Sequence, residues 1–167
     1  MCHLRHNTVF ILSLLLIPAP LSGLPEDRNQ PIQLEADRAQ LDQKTGISVY
    51  QGNVVITQGS MRLTADTVTV YLRDGNFQRM EAVGKPATLR YKPAANKAEM
   101  NGVSKRVEYD ATNAQVVMTT NAKITQGQDV FSGDRIEYNL KEDLVKAQGT
   151  AEGGRIQFTL QPKPKNN

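Results

Sequence analysis

The sequence predicts an all-β protein built from stacked short strands, and two observations support this. Apolar and polar residues alternate with a period of two through most of residues 30–160, which is typical of strands that bury one face. A motif also repeats at an offset of 68 residues: Ile56-Thr57-Gln58-Gly59 is found again as Ile124-Thr125-Gln126-Gly127. The 167 residues are enough for one domain.

The first segment, residues 1–23, is typical of a secretory signal peptide. Arg5 supplies a short positive region, Val9 to Ile17 form an apolar region of nine residues, and Ser22-Gly23 offers small residues for cleavage. Nine residues are too few to cross a bilayer, which takes about 20. We therefore expect export, with cleavage near Gly23.

Removal of residues 1–23 excludes several classes of function. Cys2, His3 and His6 are the only cysteine and histidines of the chain. The mature chain would then have no disulfide, no thiol or Ser-His-Asp catalysis and no zinc site of the usual Cys/His kind. Its 19 Lys and Arg against 17 Asp and Glu leave a charge of +2, which is too balanced for a nucleic-acid-binding protein.

Residues 24–161 are predicted to form one domain of strands separated by polar turns. Turn residues lie at positions 44–46, 74–76, 110–113 and 141–143. Residues 162–167 are polar, and we expect them to be a disordered tail. The inward-facing residues of the clearest strands are Ile32, Leu34 and Ala36; Val68 and Val70; Ile136, Tyr138 and Leu140; and Ile156, Phe158 and Leu160.

Small residues recur at intervals that predict the corners of a stacked architecture. The corners are Ala36, Ala65, Gly102 and Gly133, at spacings of 29, 37 and 31 residues. Units of this size bury their apolar faces only against neighbouring units. The pattern is therefore compatible with a β-solenoid or with an elongated jelly roll of two sheets. The predicted hairpin ends are Gly52, Gly84, Asn121 and Gly149.

Three carboxylates that follow corner residues have two interpretations. Asp37, Asp66 and Asp134 could form a row for acid–base chemistry or calcium binding, and paired carboxylates can hydrolyse glycosides. Their outward positions favour a structural role, in which each caps a turn by accepting backbone N–H groups. Ser104-Lys105 could be half of a Ser/Lys hydrolase, but no other part of such a motif is present.

The cationic side chains are predicted to form a solvated face, some of which could meet phosphates at a rim. They are Arg62, Arg73, Arg79, Lys85, Arg90, Lys92, Lys97, Lys105 and Arg106.

An ordered series of short segments resembles the LptA (OstA-like) family of periplasmic lipopolysaccharide-transport proteins. The resemblance covers residues 30–160, and no single segment is diagnostic by itself. The segments are Gln30-Pro31-Ile32, Tyr50 to Gly59 with Leu63, Ala65-Asp66, Val68 and Val70, Gly84 to Thr88, Gly102 with Tyr109, and Gly133-Asp134 with Ile136 and Tyr138.

The resemblance implies an elongated, twisted, open β-jelly roll of about sixteen antiparallel strands. It further implies that the chain is not an enzyme and needs no cofactor or metal. Its apolar groove would bind the acyl chains of lipopolysaccharide in the periplasm, and copies would pair head to tail into a bridge between the inner and outer membranes. An inner-membrane LptC-like protein would pair with the N-terminal edge, and an outer-membrane LptD-like protein with the C-terminal edge.

Fourteen residues are predicted to line the groove. Two other functions stay open: a scaffold that assembles through strand edges without binding lipid, and a β-solenoid glycan hydrolase. The predicted groove residues are Ile32, Leu34, Ala36, Val54, Ile56, Leu63, Ala65, Val68, Val70, Met118, Ile124, Phe131, Ile136 and Phe158.

Overall fold

A computed structural model describes residues 30–150, 154–160 and 162. The predicted signal peptide and residues 163–167 of the predicted tail lie outside these residues. Within them the structure has ten strands and no helix, hence no helix that could cross a membrane. The strands are β1 (Gln33–Glu35), β2 (Arg38–Asp42), β3 (Ile47–Gln58), β4 (Met61–Arg73), β5 (Asn76–Tyr91), β6 (Met100–Asp110), β7 (Gln115–Gln126), β8 (Asp129–Asn139), β9 (Leu144–Gln148) and β10 (Gln157–Thr159).

All ten strands belong to one antiparallel sheet with two free edges. Strands β3 to β8 pair in chain order. At the N-terminal edge β1 and β2 both pair with β3, and at the C-terminal edge β9 and β10 both pair with β8. The sheet is therefore open, as the resemblance to the LptA (OstA-like) family implies.

The six long strands, β3 to β8, each bend near the middle, where the pairing register shifts. The bends divide the sheet into two walls. Wall A contains β1, β10 and residues 54–58, 61–65, 87–91, 100–104, 122–126 and 129–133. Wall B contains β2, β9 and residues 47–51, 67–73, 76–83, 106–110, 115–119 and 135–139.

The prediction of about sixteen strands differs from the ten observed, and the bends explain the difference. If the two halves of each of the six long strands are counted separately, the ten strands become sixteen segments. A strand that crosses a β-bulge keeps its chain direction while its side chains change register. In the sequence this resembles the end of one strand and the start of another.

The bend beside the N-terminal edge requires glycine. Gly52 has φ +79°, and a Cβ atom there would lie 2.2 Å from Oδ2 of Asp37. The Asp37 carboxylate accepts a hydrogen bond from Nδ2 of Asn53 at 3.0 Å, and the Asp37 N–H donates to the carbonyl of Gly52. Asp37 therefore has a structural role at this bend, but its carboxylate accepts from the Asn53 side chain and not from the backbone N–H groups that the turn-cap prediction requires.

The predicted hairpin ends Gly52, Gly84 and Asn121 lie instead at bends within long strands. Gly84 and Asn121 fall in the register shifts of β5 and β7. The sequence alone did not distinguish a bulge from a hairpin turn. Both favour glycine and residues that tolerate a positive φ, so these three predicted hairpin ends are in fact bulges. Gly149 does follow the end of β9.

The turns themselves lie where the sequence predicts them, and three of them are capped by the same arrangement of hydrogen bonds. The side-chain oxygen of Asp42, Asp110 or Asn139 accepts the N–H groups of the residues two and three positions later, at 2.8–3.2 Å. The backbone hydrogen bond from Asn113 is the main cause that lowers the pKa of Asp110, and the one from Thr45 acts in the same way on Asp42. All three turns lie at the far end of wall B.

Candidate functional site

The inner faces of the two walls form a trough lined by rungs of apolar side chains. A rung is a row of residues that are register partners from strand to strand. The wall A rung runs across Leu34, Ile56, Leu63, Leu89, Gly102, Ile124, Phe131 and Phe158. The first wall B rung runs across Tyr50, Val68, Ala82, Val107, Met118, Ile136 and Ala147.

The internal repeat of the sequence corresponds to these rungs. Ile56 and Ile124 lie on the same wall A rung, as do Leu63 and Phe131. The offset of 68 residues therefore carries the chain across four strands and back to the same depth in the trough. The repeat thus reflects a continuous apolar row rather than separate structural units.

A cavity of about 290 Å³ lies in the N-terminal half of the trough, near β1 and β2. Both walls line it, since Ile56 and Met61 belong to wall A and Tyr50 and Met80 to wall B. The walls therefore face each other. Three lining side chains, Ile32, Leu41 and Leu72, remain 44%, 61% and 37% exposed, so the cavity opens to solvent.

The C-terminal half of the trough, near β8 and β9, is filled by its own side chains. Met118, Ile124, Ile136 and Tyr138 are at most 2% exposed. A second wall B rung also crosses this half, and in it Val116 pairs in register with Tyr138. The trough is therefore asymmetric, with space at one end and close packing at the other.

Twelve of the fourteen predicted groove residues are buried or half-buried on the inner faces. Ile32 and Phe158 differ, because they lie at the edges and are 44% and 47% exposed. Ile32 lines the cavity, and the ring of Phe158 packs edge-on against Phe131 at 5.1 Å between centroids. The twelve are Leu34, Ala36, Val54, Ile56, Leu63, Ala65, Val68, Val70, Met118, Ile124, Phe131 and Ile136.

Sequence reasoning missed about as many inner-face residues as it found. The usable signal was register, because several missed residues are the partners of predicted ones; Leu89, for example, pairs with Leu63, and Met80 with Val70. The missed residues are Tyr50, Met61, Phe77, Met80, Ala82, Leu89, Met100, Val107, Tyr109 and Val116, whereas Tyr138 was predicted to face inward.

The structure separates the residues that would be needed for hydrolysis. Asp66 lies on β4 and Asp134 on β8. Four interstrand spacings of about 4.8 Å put these strands about 19 Å apart, beyond the range for a glycosidase pair. The Ser104 hydroxyl is buried and donates to the carbonyl of Arg106 at 2.7 Å, whereas Lys105 is exposed. Within the described part of the chain, no group of three or more Asp, Glu, His or Cys could hold a metal.

Several of the predicted solvated cations are paired on the outer face of wall B. Arg106 contacts Glu81 at 2.6 Å and Glu108 at 2.7 Å, and Arg79 contacts Glu81 at 3.0 Å. The hydrogen bond to Glu108 is the main cause that raises the pKa of Arg106. The guanidinium of Arg79 also lies 3.9 Å above the ring of Tyr71. Charge is thus kept on the outside of the roll, while the inside is apolar.

Comparison with known proteins gives consistent matches over this fold. Residues 33–144 match the family described as LptA/(LptD N-terminal domain) LPS transport protein. The chain is 38% identical to the lipopolysaccharide export system protein LptH of Pseudomonas aeruginosa, over 94% of each chain. It is 34% identical to the export system protein LptA of Escherichia coli K12, over 96% of this chain and 89% of that one. The crystal structure of the Pseudomonas aeruginosa LptH superposes with a TM-score of 0.77 and 38% identity, over 83% of this chain and 100% of that chain.

Proposed function

Because this chain belongs to the LptA/LptD N-terminal domain family of LPS transport proteins, we propose that it carries lipopolysaccharide across the periplasm, with the lipid A acyl chains held in the trough. It acts as a transport component and not as an enzyme. The observation that carries the proposal is the apolar rung that crosses wall A from β1 to β10 beside an open cavity.

The physical need for such a trough follows from the lipid. Each acyl methylene that leaves water gains about 0.8 kcal/mol, so a lipid with several chains needs a continuous apolar surface. The cavity of about 290 Å³ is at the small end of ligand pockets, which span about 300–1,000 Å³. We therefore expect the walls to separate when lipid enters. Methionine suits such a surface because it repacks readily, and four methionines face the interior: Met61, Met80, Met100 and Met118.

The free edges support a head-to-tail bridge of copies. The chain runs from wall A to wall B through β1 and β2, and from wall B back to wall A through β9 and β10. A second copy that placed its β1 beside β10 and its β2 beside β9 would continue the antiparallel order and both walls. Such a contact is heterologous and grows linearly.

Both ends expose apolar side chains that this contact would cover. Ile32 and Leu41 are exposed at the N-terminal end, and Ile156, Phe158 and Leu160 at the C-terminal end. The same geometry would let an inner-membrane LptC-like protein pair with the N-terminal edge and an outer-membrane LptD-like protein with the C-terminal edge. We place the chain in the periplasm after cleavage of residues 1–23.

Site-specific photo-crosslinking tests lipid binding. A crosslinking residue at Leu41 points into the cavity, and its 61% exposure means that the replacement should not disturb the fold. The neighbouring Gln40 faces the other side of the same strand and is the matched control. We expect lipopolysaccharide to be captured at Leu41 and at Phe131 but not at Gln40 or Ser132.

Equal capture at the paired positions would contradict a lipid-binding trough. Assembly of copies without capture at any of the four positions would instead support the scaffold function.

A further inference from the structure

The connection between β5 and β6, residues 92–99, is tied to wall A at both ends. The N–H of Lys92 donates to Oγ of Ser60 at 3.2 Å, and Nε2 of Gln126 contacts the carbonyl of Ala98 at 3.4 Å. An ion pair between Arg90 and Glu99, at 3.7 Å, adds a further contact on the same wall. The segment is therefore positioned as an extension of wall A at the mouth of the trough, which is the side opposite the bends.

The middle of this segment reaches across the mouth to wall B. The ammonium of Lys97 pairs with Oδ2 of Asp143, which lies in the turn between β8 and β9. The hydroxyl of Tyr138 donates to the other carboxylate oxygen, Oδ1, at 2.5 Å. Asp143 adopts φ +54°, a left-handed conformation that Asp and Asn tolerate better than most residues.

The charges around Asp143 are consistent with a fixed contact. Burial acts to raise the pKa of the Asp143 carboxyl, but the hydrogen bonds from Lys97 and Tyr138 and the charge of Lys97 outweigh it and lower that pKa. Burial and the hydrogen bond to Asp143 raise the pKa of the Tyr138 hydroxyl. Asp143 therefore stays ionised and paired at neutral pH.

We propose that residues 92–99 form a strap across the mouth of the trough, fastened by the Lys97–Asp143 pair, and that its release admits acyl chains to the C-terminal half. The strap lies over the closely packed part of the trough, where Tyr138 and Met118 are almost fully buried. The open cavity lies in the other half, near β1 and β2. The part of this proposal that concerns lipid rests on the proposed function.

The Lys97–Asp143 ion pair is weak enough to break and re-form reversibly. The side chains of Lys97 and Asp143 are 43% and 37% exposed, and partly exposed ion pairs shift an equilibrium by at most about fivefold. Breaking the ion pair would therefore change the fraction of molecules whose mouth is open. It would not unfold the walls, because their strands pair with one another and not with the strap.

The first experiment measures the width of the mouth without lipid. Spin labels are attached at Thr112→Cys and Gln128→Cys, which lie in exposed turns of wall B and wall A, in the mature chain without residues 1–23, which contains no other cysteine. Pulsed electron paramagnetic resonance then gives the distance between the labels. We expect Lys97→Met and Asp143→Asn each to increase the long-distance fraction about two- to fivefold, and the double variant to add nothing further.

Two features of these variants keep the result interpretable. Asn at position 143 keeps an oxygen for Tyr138 and tolerates the positive φ, so it removes the charge and the second oxygen, which is the one that pairs with Lys97. The matched control is Glu99→Gln, which removes an ion pair between the base of the strap and Arg90 of wall A. It leaves the contact to wall B intact and should therefore leave the distances unchanged. Unchanged distances in both Lys97→Met and Asp143→Asn would overturn the strap.

The second experiment measures the rate at which the same variants take up fluorescent lipopolysaccharide. We expect uptake to be about two- to fivefold faster in Lys97→Met and Asp143→Asn than in the parent or in Glu99→Gln. Wider distances with unchanged uptake would show that the strap does not gate lipid entry. If the parent chain takes up no lipopolysaccharide, the proposed function fails, while the distances alone still decide whether the strap exists.

Discussion

At the scale of single residues, part of the inner face of the trough could be predicted from alternation alone. Leu63 and Val68 alternate with polar neighbours, and both are fully buried. Ile32 and Phe158 follow the same alternation but lie at the edges, where no further strand covers them. Sequence periodicity gives the face on which a residue lies. It does not give the number of neighbours, which sets its burial.

Gly52 provides a test of the bend. We expect Gly52→Ala to lower the free energy of unfolding by more than about 1 kcal/mol, because the new Cβ atom would meet the Asp37 carboxylate at φ +79°. Gly75→Ala is the matched control, since Gly75 has φ +75° and no atom within 4 Å of the added Cβ. Urea denaturation measures both. Equal losses would show that backbone strain alone matters and that the Asp37 contact does not.

Asp110 should make the stability of the folded chain depend on pH. Its pKa is lowered in the folded chain, chiefly by the backbone N–H of Asn113. A lowered pKa contributes stability above the unfolded value of about 3.9, and this stability is lost as the pH falls through the folded value. We expect the advantage of the parent over Asp110→Asn to shrink between about pH 5 and pH 2 in urea titrations. A constant difference across that range would argue against the ionised carboxylate as the turn cap.

At the scale of elements, the turns were predictable and the bends only in part. Of the predicted corners, Ala36, Ala65 and Gly133 lie beside bends, whereas Gly102 lies within wall A. Asp110 and Asn139 begin turns through local hydrogen bonds, which depend only on nearby sequence. The bends depend on how neighbouring strands pair across the sheet, as at Gln51/Val54 and Thr64/Thr67. A residue such as Asn121 therefore indicates that the backbone adopts an unusual conformation. The sequence does not show whether that conformation belongs to a turn or to a bend.

The C-terminal edge gives a prediction for assembly. Leu160 is 65% exposed beside β10, and burial of one leucine in a contact between copies contributes about 2 kcal/mol. We expect Leu160→Lys to weaken self-association about tenfold or more in sedimentation measurements, with thermal stability unchanged. Thr159→Lys, on the opposite face of the strand, is the control. Similar weakening by both variants would indicate a general charge effect instead of an apolar contact at this edge.

At the scale of the whole molecule, the asymmetry of the trough was not accessible from the sequence. Both halves carry the same rungs and the same repeat, as Ile56 and Ile124 illustrate. The difference arises from side-chain size and from the strap. Tyr138 and Met118 fill the C-terminal half, whereas the N-terminal half contains a cavity open to solvent. The distance between two facing walls depends on contacts remote in sequence, such as Lys97 with Asp143.

This asymmetry predicts an order in which lipid occupies the trough. Leu34 and Phe131 are both half-buried members of the wall A rung, one near each end. Under the proposed function, acyl chains would enter the open cavity beside Leu34 at once, but near Phe131 they would first have to displace packed side chains. We therefore expect a photo-crosslinker at Leu34 to reach half-maximal capture at a lower lipopolysaccharide concentration than one at Phe131. In Asp143→Asn the difference between these two concentrations should be smaller. Equal half-maximal concentrations in the parent chain would mean that the walls separate along their whole length in one step.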